Sequence, residues 1–182
     1  MFKLKAHILL SGLAAALFTG VAYADTPRHT CSDPNITPAT PSAGFTVIGE
    51  GDVVRHERTS LEWQRCALGQ SWNGAEARCD GSVQGYGWQE ALQEAESLDG
   101  WRLPDLKELR SIVEQCTREP AINTQVFPDT PSFRFWSSSP VAAARTRAWL
   151  VHFNAGHNLH DSEKSKDSHP NPVAVRLVRY GQ

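Results

Sequence analysis

The sequence predicts an α+β protein in which two helices lie beside antiparallel sheets. Short runs of alternating apolar and polar residues predict strands over residues 45–64 and again after residue 135. Between these regions, apolar residues recur every three or four positions, as they do in helices packed against a core. Strands followed by helices and then by strands are typical of an α+β fold.

The first 24 residues have the three parts of a secretory signal peptide. Lys3 and Lys5 make the start positive, residues 8–18 form an apolar run, and Ala22 and Ala24 are the small residues that a signal peptidase requires. The apolar run is too short to span about 30 Å of hydrocarbon. We therefore predict a cleaved signal peptide at residues 1–24, with a buried N-terminal helix as the alternative, and export to the periplasm or the extracellular space.

Length and charge limit the function of the remaining chain. The 182 residues contain 18 Lys and Arg against 20 Asp and Glu; because residues 1–24 hold two lysines and no acid, removing them changes the net charge from −2 to −4. A chain of this length predicts one domain. The acidic balance argues against general nucleic-acid binding, which needs a basic surface. No second apolar stretch approaches membrane length.

Four cysteines follow the predicted signal peptide: Cys31, Cys66, Cys79 and Cys116. An even number in an oxidising compartment predicts two disulfides. Of the three possible pairings we favour Cys66–Cys79, which closes a short loop, together with Cys31–Cys116, which ties the N-terminal segment to a helix end. Zinc binding by the four cysteines is the alternative, although no C-x-x-C pair is present.

Residues 25–44 predict an extended arm before the domain at residues 45–182. The arm contains four prolines among small polar residues and has little apolar surface to bury. Cys31 lies within it, so we expect the arm to be attached to the domain. Strands are then predicted at residues 45–48, 53–56 and 61–63.

The two predicted helices lie in the middle of the chain. From Trp88, a stripe of apolar residues at helical spacing continues to Leu98, and Gly100 follows where a left-handed cap is favoured. The second helix is predicted to begin with Pro104 and Asp105 in its first turn. Its apolar stripe extends to Cys116.

The last third predicts strands and one long loop. Trp149, Val151 and Phe153 alternate with Leu150, His152 and Asn154, as expected for a strand. Residues 158–172 are polar and predict a loop. Residues 173–179 predict a single strand that closes the chain, with its two arginines directed outward.

The sequence contains no recognisable catalytic motif. Ser137, Ser138 and Ser139 do not lie in a G-x-S-x-G elbow, and neither a glycine-rich phosphate loop nor a dinucleotide fingerprint occurs. Oxidised cysteines are poor nucleophiles. We therefore expect no catalytic residues, no cofactor and no enzymatic activity.

A basic segment over residues 145–169 contains the candidate ligand-binding residues. Cationic side chains match the sulfate and carboxylate groups of an anionic glycan. The candidates are Arg145, Arg147, His157, His160, Lys164 and Lys166.

Two alternatives exist for this segment. His152, His157 and His160 with Asp161 have the donor atoms for zinc or copper, but their spacing matches no standard motif, and we assign no metal site. The segment is also interpretable as a solvated loop, because nearby acidic residues offset its lysines.

Several segments together resemble the C-terminal domain family of the bacterial collagen-like adhesin Lcl. They are residues 59–64 (TSLEWQ), 88–91 (WQEA), 100–109 (GWRLPDLKEL), 127–128 (FP), 135–139 (FWSSS), Trp149, 154–156 (NAG) and 175–179 (VRLVR). The resemblance covers nearly the whole chain after the predicted arm. Within these motifs we expect Trp63, Trp101 and Trp136 to pack in the core, and Arg102 either to pair with a carboxylate or to cap backbone carbonyls.

The resemblance implies a C-type-lectin-like fold, a module used more often for binding than for catalysis. For the adhesin it implies attachment to sulfated polysaccharides. We therefore expect an exported binding module that recognises a polysaccharide, with anionic polysaccharides as one candidate class, or an envelope protein. The alternative is an accessory protein of a surface appendage or secretion apparatus, with the proline-rich arm as a docking strand.

Overall fold

The computed structural model describes residues 31–162 and 173–181, so the predicted signal peptide lies outside the described residues. Two helices and ten strands are formed in chain order. They are β1 (Phe45–Ile48), β2 (Val53–His56), β3 (Leu61–Gln64), β4 (Ser71–Asn73), β5 (Arg78–Asp80), α1 (Trp88–Ser97), α2 (Leu106–Arg110), β6 (Arg134–Val141), β7 (Ala144–His152), β8 (His157–Ser162), β9 (Val173–Ala174) and β10 (Val178–Tyr180).

The strands form two four-stranded sheets and a small hairpin. The N-terminal sheet has the order β1-β2-β3-β10, the C-terminal sheet has the order β8-β7-β6-β9, and β4 pairs with β5. All pairings are antiparallel except that of β6 with β9. The predicted α+β class, with two helices and mostly antiparallel sheets, is therefore confirmed. The short strands β4 and β5 lie within the Cys66–Cys79 loop, where no strands were expected.

The C-terminal sheet buries side chains on both of its faces. Phe135 and Val151 pack into one apolar cluster with α2 and the N-terminal sheet, whereas Trp136 and Leu150 pack into a second cluster with α1. Leu150 is therefore buried, as Val151 next to it is. Strict alternation marks a sheet with one exposed face, but here α1 covers the second face.

The end of the chain connects the two sheets. β9 pairs with β6, residues 175–177 leave the first sheet, and β10 then pairs with β3. The single strand predicted over residues 173–179 is therefore two short strands in different sheets. The crossing places the intervening residues between the two layers, where all of them are buried.

Arg176 lies at this crossing and is fully buried, so the prediction that it faces outward is wrong. Its guanidinium donates hydrogen bonds to the carbonyl oxygens of Gln64 and Arg65 and to Thr130 Oγ1. It also lies 4.9 Å from the ring centre of Phe127. Burial lowers the pKa of Arg176 to about 9, so the group remains charged at neutral pH.

The second helix is shorter than predicted. Asp105 caps it by accepting a hydrogen bond from the Glu108 backbone N–H, and Glu108 accepts one in return from the Asp105 N–H, each at 2.8 Å. The helix ends at Arg110 rather than continuing towards Cys116. Beyond it, Val113 forms a bridge with Ile122, so this part of the backbone pairs across a loop and not along a helix.

Residues 158–172 do not form one continuous loop. Residues 157–162 form β8, which pairs with β7 from His152↔His157 to Arg147↔Ser162. Polar composition concealed this strand because it lies at the edge of its sheet. Lys164 and Lys166 lie outside the described residues.

The N-terminal arm is attached to the domain where the structure describes it. The two disulfides are Cys31–Cys116 and Cys66–Cys79, the favoured pairing, so the zinc alternative for the cysteines is excluded. The buried Glu114 carboxylate accepts hydrogen bonds from the backbone of Ala39 and Thr40 and from the Thr40 hydroxyl.

Removing the Cys31–Cys116 disulfide is expected to destabilise the protein more than removing Cys66–Cys79. Their sequence separations are 85 and 13 residues, which correspond to losses of about 4.5 and about 3 kcal/mol if loop entropy dominates. Urea unfolding of the two double Cys→Ser variants measures both losses. An equal or reversed order would contradict the expectation.

Replacing Arg176 is expected to be costly even when the charge is kept. Arg176→Lys should lose about 2–4 kcal/mol of unfolding free energy, because one ammonium cannot satisfy three acceptors spread along a planar guanidinium. Arg110→Lys is the matched control on an exposed arginine, with an expected change within about 0.5 kcal/mol. Similar losses in the two variants would show that the buried hydrogen bonds of Arg176 contribute little.

Glu114 is expected to make stability fall in acid. Burial alone would raise its pKa, but hydrogen bonds from Thr40, Cys116 and Ala39 outweigh burial and lower the pKa below 4.5. The stabilisation by the ionised form is therefore complete above the unfolded-state pKa of 4.5 and is lost as the pH falls through the lower folded-state value.

The Glu114→Gln variant should lose about 2–3 kcal/mol at neutral pH and show a flatter decline in acid. Chemical unfolding at a series of pH values measures both effects, with the exposed Glu96→Gln as control. An unchanged acid slope in the Glu114 variant would contradict the assignment.

Candidate functional site

The β7–β8 hairpin carries two arginines and a tryptophan close together. Arg147 pairs with Ser162 and Trp149 with His160, and because side chains alternate between the faces of a strand, Arg147 and Trp149 share one face with His160. Arg145 lies two residues before Arg147, in the irregular first part of the same strand. We call these four residues the arginine–tryptophan face.

The two arginines of this face are exposed. Among residues 31–162 and 173–181, neither Arg145 nor Arg147 forms an ion pair or a side-chain hydrogen bond. Arg134 on the neighbouring strand differs, because it pairs with Asp161 at 2.7 Å. The described residues therefore use none of the donors of these two guanidinium groups.

Trp149 has a fixed position beside the arginines. Its ring is half-buried and meets the His160 ring edge to face, with 5.3 Å between the ring centres. The Ser137 hydroxyl donates a hydrogen bond of 2.7 Å to the Trp149 carbonyl oxygen, which holds the strand backbone at this point. An aromatic surface thus lies next to two exposed cationic groups.

The other arginines in the family motifs have structural partners. Arg102 forms two hydrogen bonds of 2.7 Å to Glu108, as expected, and Arg179 pairs with the nearly buried Glu62. Burial alone would raise the pKa of Glu62, but hydrogen bonds from Arg55 and Arg179 lower it overall. These groups stabilise the domain and leave the arginine–tryptophan face as the unpaired cationic site of the hairpin.

The histidines are divided between the two faces of the hairpin. His157 is opposite His152, whereas His160 is opposite Trp149 on the other face. Burial, together with the charge of Arg134, lowers the pKa of His152. Since Asp161 pairs with Arg134, the three histidines and Asp161 do not converge as metal ligands within the described part of the chain.

One group of potential metal ligands lies elsewhere in the described residues. Cys31, Cys116 and Glu114 have donor atoms within 4.8 Å of one another. Both cysteines are in a disulfide, so neither offers a thiolate, and the Glu114 oxygens accept backbone hydrogen bonds. The cluster attaches the arm to the domain.

The six residues proposed from the sequence are therefore partly brought together. Arg147 and His160 share one face, Arg145 lies two residues before Arg147, His157 lies on the opposite face, and the two lysines are outside the described residues. Sequence reasoning missed Trp149 as a binding residue because its alternation with Val151 indicated a core position. Its position two residues after Arg147 was the signal that could have placed it beside the arginines.

The fold and the site define a disulfide-linked α+β domain with an exposed cationic and aromatic face. The sequence profile of the Lcl C-terminal domain family matches residues 52–179, so the chain belongs to that family. Comparison with curated proteins and with solved structures found no match. Among the described residues, no helix is both long and apolar enough to cross a membrane.

Proposed function

We propose that this protein is an exported, adhesin-like binding module that recognises an anionic polysaccharide at the cell envelope or surface. The arginine–tryptophan face is the binding site, presented on a C-type-lectin-like domain. The observation that carries the proposal is the pair of exposed arginines, without partners among the described residues, beside a half-exposed tryptophan. Membership of the Lcl C-terminal domain family supports an association with adhesion.

The chemistry of the face suits a sulfated or carboxylated sugar chain. A guanidinium group donates two parallel hydrogen bonds to a sulfate or carboxylate, and the two arginines are spaced along one strand. The Trp149 ring offers an apolar surface to the C–H groups of a sugar ring. Binding of this kind is partly electrostatic, so it weakens as salt increases.

A binding role without catalysis and export from the cytoplasm belong to the same proposal. All four cysteines form disulfides, so none is available as a nucleophile. Disulfides persist in oxidising compartments, which supports an exported protein. The predicted signal peptide at residues 1–24 agrees with this localisation.

The accessory-protein alternative relied on a free docking strand in the arm. The Cys31–Cys116 bridge and the Glu114 hydrogen bonds to Ala39 and Thr40 attach the described part of the arm to the domain. This packing favours the glycan over the docking-strand hypothesis.

Binding to a glycan array that includes sulfated polysaccharides tests the proposal directly. The oxidised chain should bind sulfated members in a saturable, salt-sensitive manner. Arg145→Ala/Arg147→Ala should weaken binding about tenfold or more, since each lost charged hydrogen bond contributes about 1.5 kcal/mol or more. Trp149→Ala should weaken binding at all salt concentrations.

The matched control removes the same charge elsewhere. Arg110 and Arg118 are both exposed. Arg118 lies near the end of β7 opposite to Arg145, because the backbone N–H of the next residue, Glu119, donates a hydrogen bond to the carbonyl oxygen of Asn154. Arg110→Ala/Arg118→Ala should retain nearly full binding. A blank array from folded protein, or equal losses in the two double variants, would rule out the arginine–tryptophan face as the site.

A further inference from the structure

A small cavity lies between the N-terminal sheet and the Cys66–Cys79 loop. Its volume is about 160 Å³, below the roughly 300–1,000 Å³ of sites that hold drug-sized ligands. The lining residues include a tryptophan, a disulfide-bonded cysteine, an aspartate and two glutamines. The full set is Asp52, Gln64, Cys66, Ala67, Leu68, Gln70 and Trp72.

The aromatic wall of this cavity is held in place by several contacts. Trp72 donates a hydrogen bond of 3.2 Å to the Glu50 carbonyl oxygen, and the Arg65 guanidinium lies 4.2 Å from its ring centre. Cys79 is directly opposite Trp72 in the β4–β5 hairpin, and its disulfide partner Cys66 forms another wall. The site is therefore preformed.

Two polar side chains in the cavity wall have no hydrogen-bonding or ionic partner among the described residues. Within residues 31–162 and 173–181, the Asp52 carboxylate and the Gln64 side-chain amide form no hydrogen bond or ion pair. Gln70 differs, because its side chain bonds the Ala67 N–H and the Asp129 carbonyl oxygen. One free carboxylate and one free amide thus line the cavity beside the indole.

The charges around the cavity indicate a neutral ligand. The Asp52 carboxylate disfavours an anion, and Arg65 against the indole disfavours a cation. A carboxylate and an amide together accept from and donate to adjacent hydroxyl groups, while an indole contacts C–H groups. We infer that this cavity is a second binding site, independent of the arginine–tryptophan face, which takes one neutral sugar ring.

The test compares neutral sugars with acidic sugars of the same ring. Methyl glucoside and methyl galactoside are titrated into the oxidised chain alongside the corresponding methyl uronosides, and the Trp72 indole and Gln64 amide signals are followed by NMR. At least one neutral glycoside should shift both signals in a saturable manner and independently of salt. An affinity in the millimolar range is usual for a ligand with so few non-hydrogen atoms.

Asp52→Ala and Gln64→Ala should each weaken this binding about tenfold, since each removes a hydrogen bond to the sugar. Because neither side chain has a structural partner, both variants should remain folded. Trp72→Phe assigns the indole signal, and Asp99→Ala is the control for an exposed carboxylate.

The outcomes separate this inference from the proposed function. Arg145→Ala/Arg147→Ala should leave neutral-sugar binding unchanged, and Asp52→Ala should leave polysaccharide binding unchanged. The inference is overturned if no neutral glycoside shifts the two signals, if the uronosides bind there equally well, or if binding survives both Asp52→Ala and Gln64→Ala.

Discussion

The burial of the Arg176 guanidinium is the constraint on which the two-sheet arrangement depends. A buried cation needs acceptors for its donors, and the two terminal nitrogens of Arg176 find them in two backbone carbonyls and one hydroxyl, whereas its Nε has no partner among the described residues. Among the described residues no carboxylate pairs with it. These acceptors come from the end of β3 and from Thr130, so the C-terminal crossing, the N-terminal sheet and the loop before β6 must meet at one point.

Arg65, another buried arginine, is also satisfied by backbone carbonyl oxygens. Its guanidinium donates to the carbonyl oxygens of Val126, Gly51 and Gln125, again without a carboxylate. Carbonyl acceptors fix loops that have little secondary structure, because each bond specifies the position of one backbone oxygen. The two arginines therefore order the loops around β3, and Arg65 also supports the indole that lines the small cavity. Arg65 therefore contributes both to the packing of the loops and to the wall of the candidate sugar site.

The arginines have different roles in different parts of the molecule, and the burial and the partners of each guanidinium group determine its role. Arg65 and Arg176 are buried on carbonyls, and Arg102 and Arg179 are paired with glutamates. Arg145 and Arg147 are exposed and have no partner among the described residues, so they can meet an anionic ligand without first breaking an interaction there. The paired arginines would lose a carboxylate on binding, and that loss would offset the gain.

Local patterns in the sequence determined the α+β class, the position of α1 and the number of disulfides, because residue spacing and cysteine count record burial and bonding within short segments. They also identified Arg145, Arg147 and His160 as candidates. Tertiary structure alone decided that Arg176 is buried, that residues 157–162 form an edge strand, and that His157 lies away from His160. These features depend on contacts far apart in the chain, such as Arg176 with Gln64, 112 residues away. Local spacing carries no record of such partners, so the free arginines could be told from the paired ones only in the folded protein.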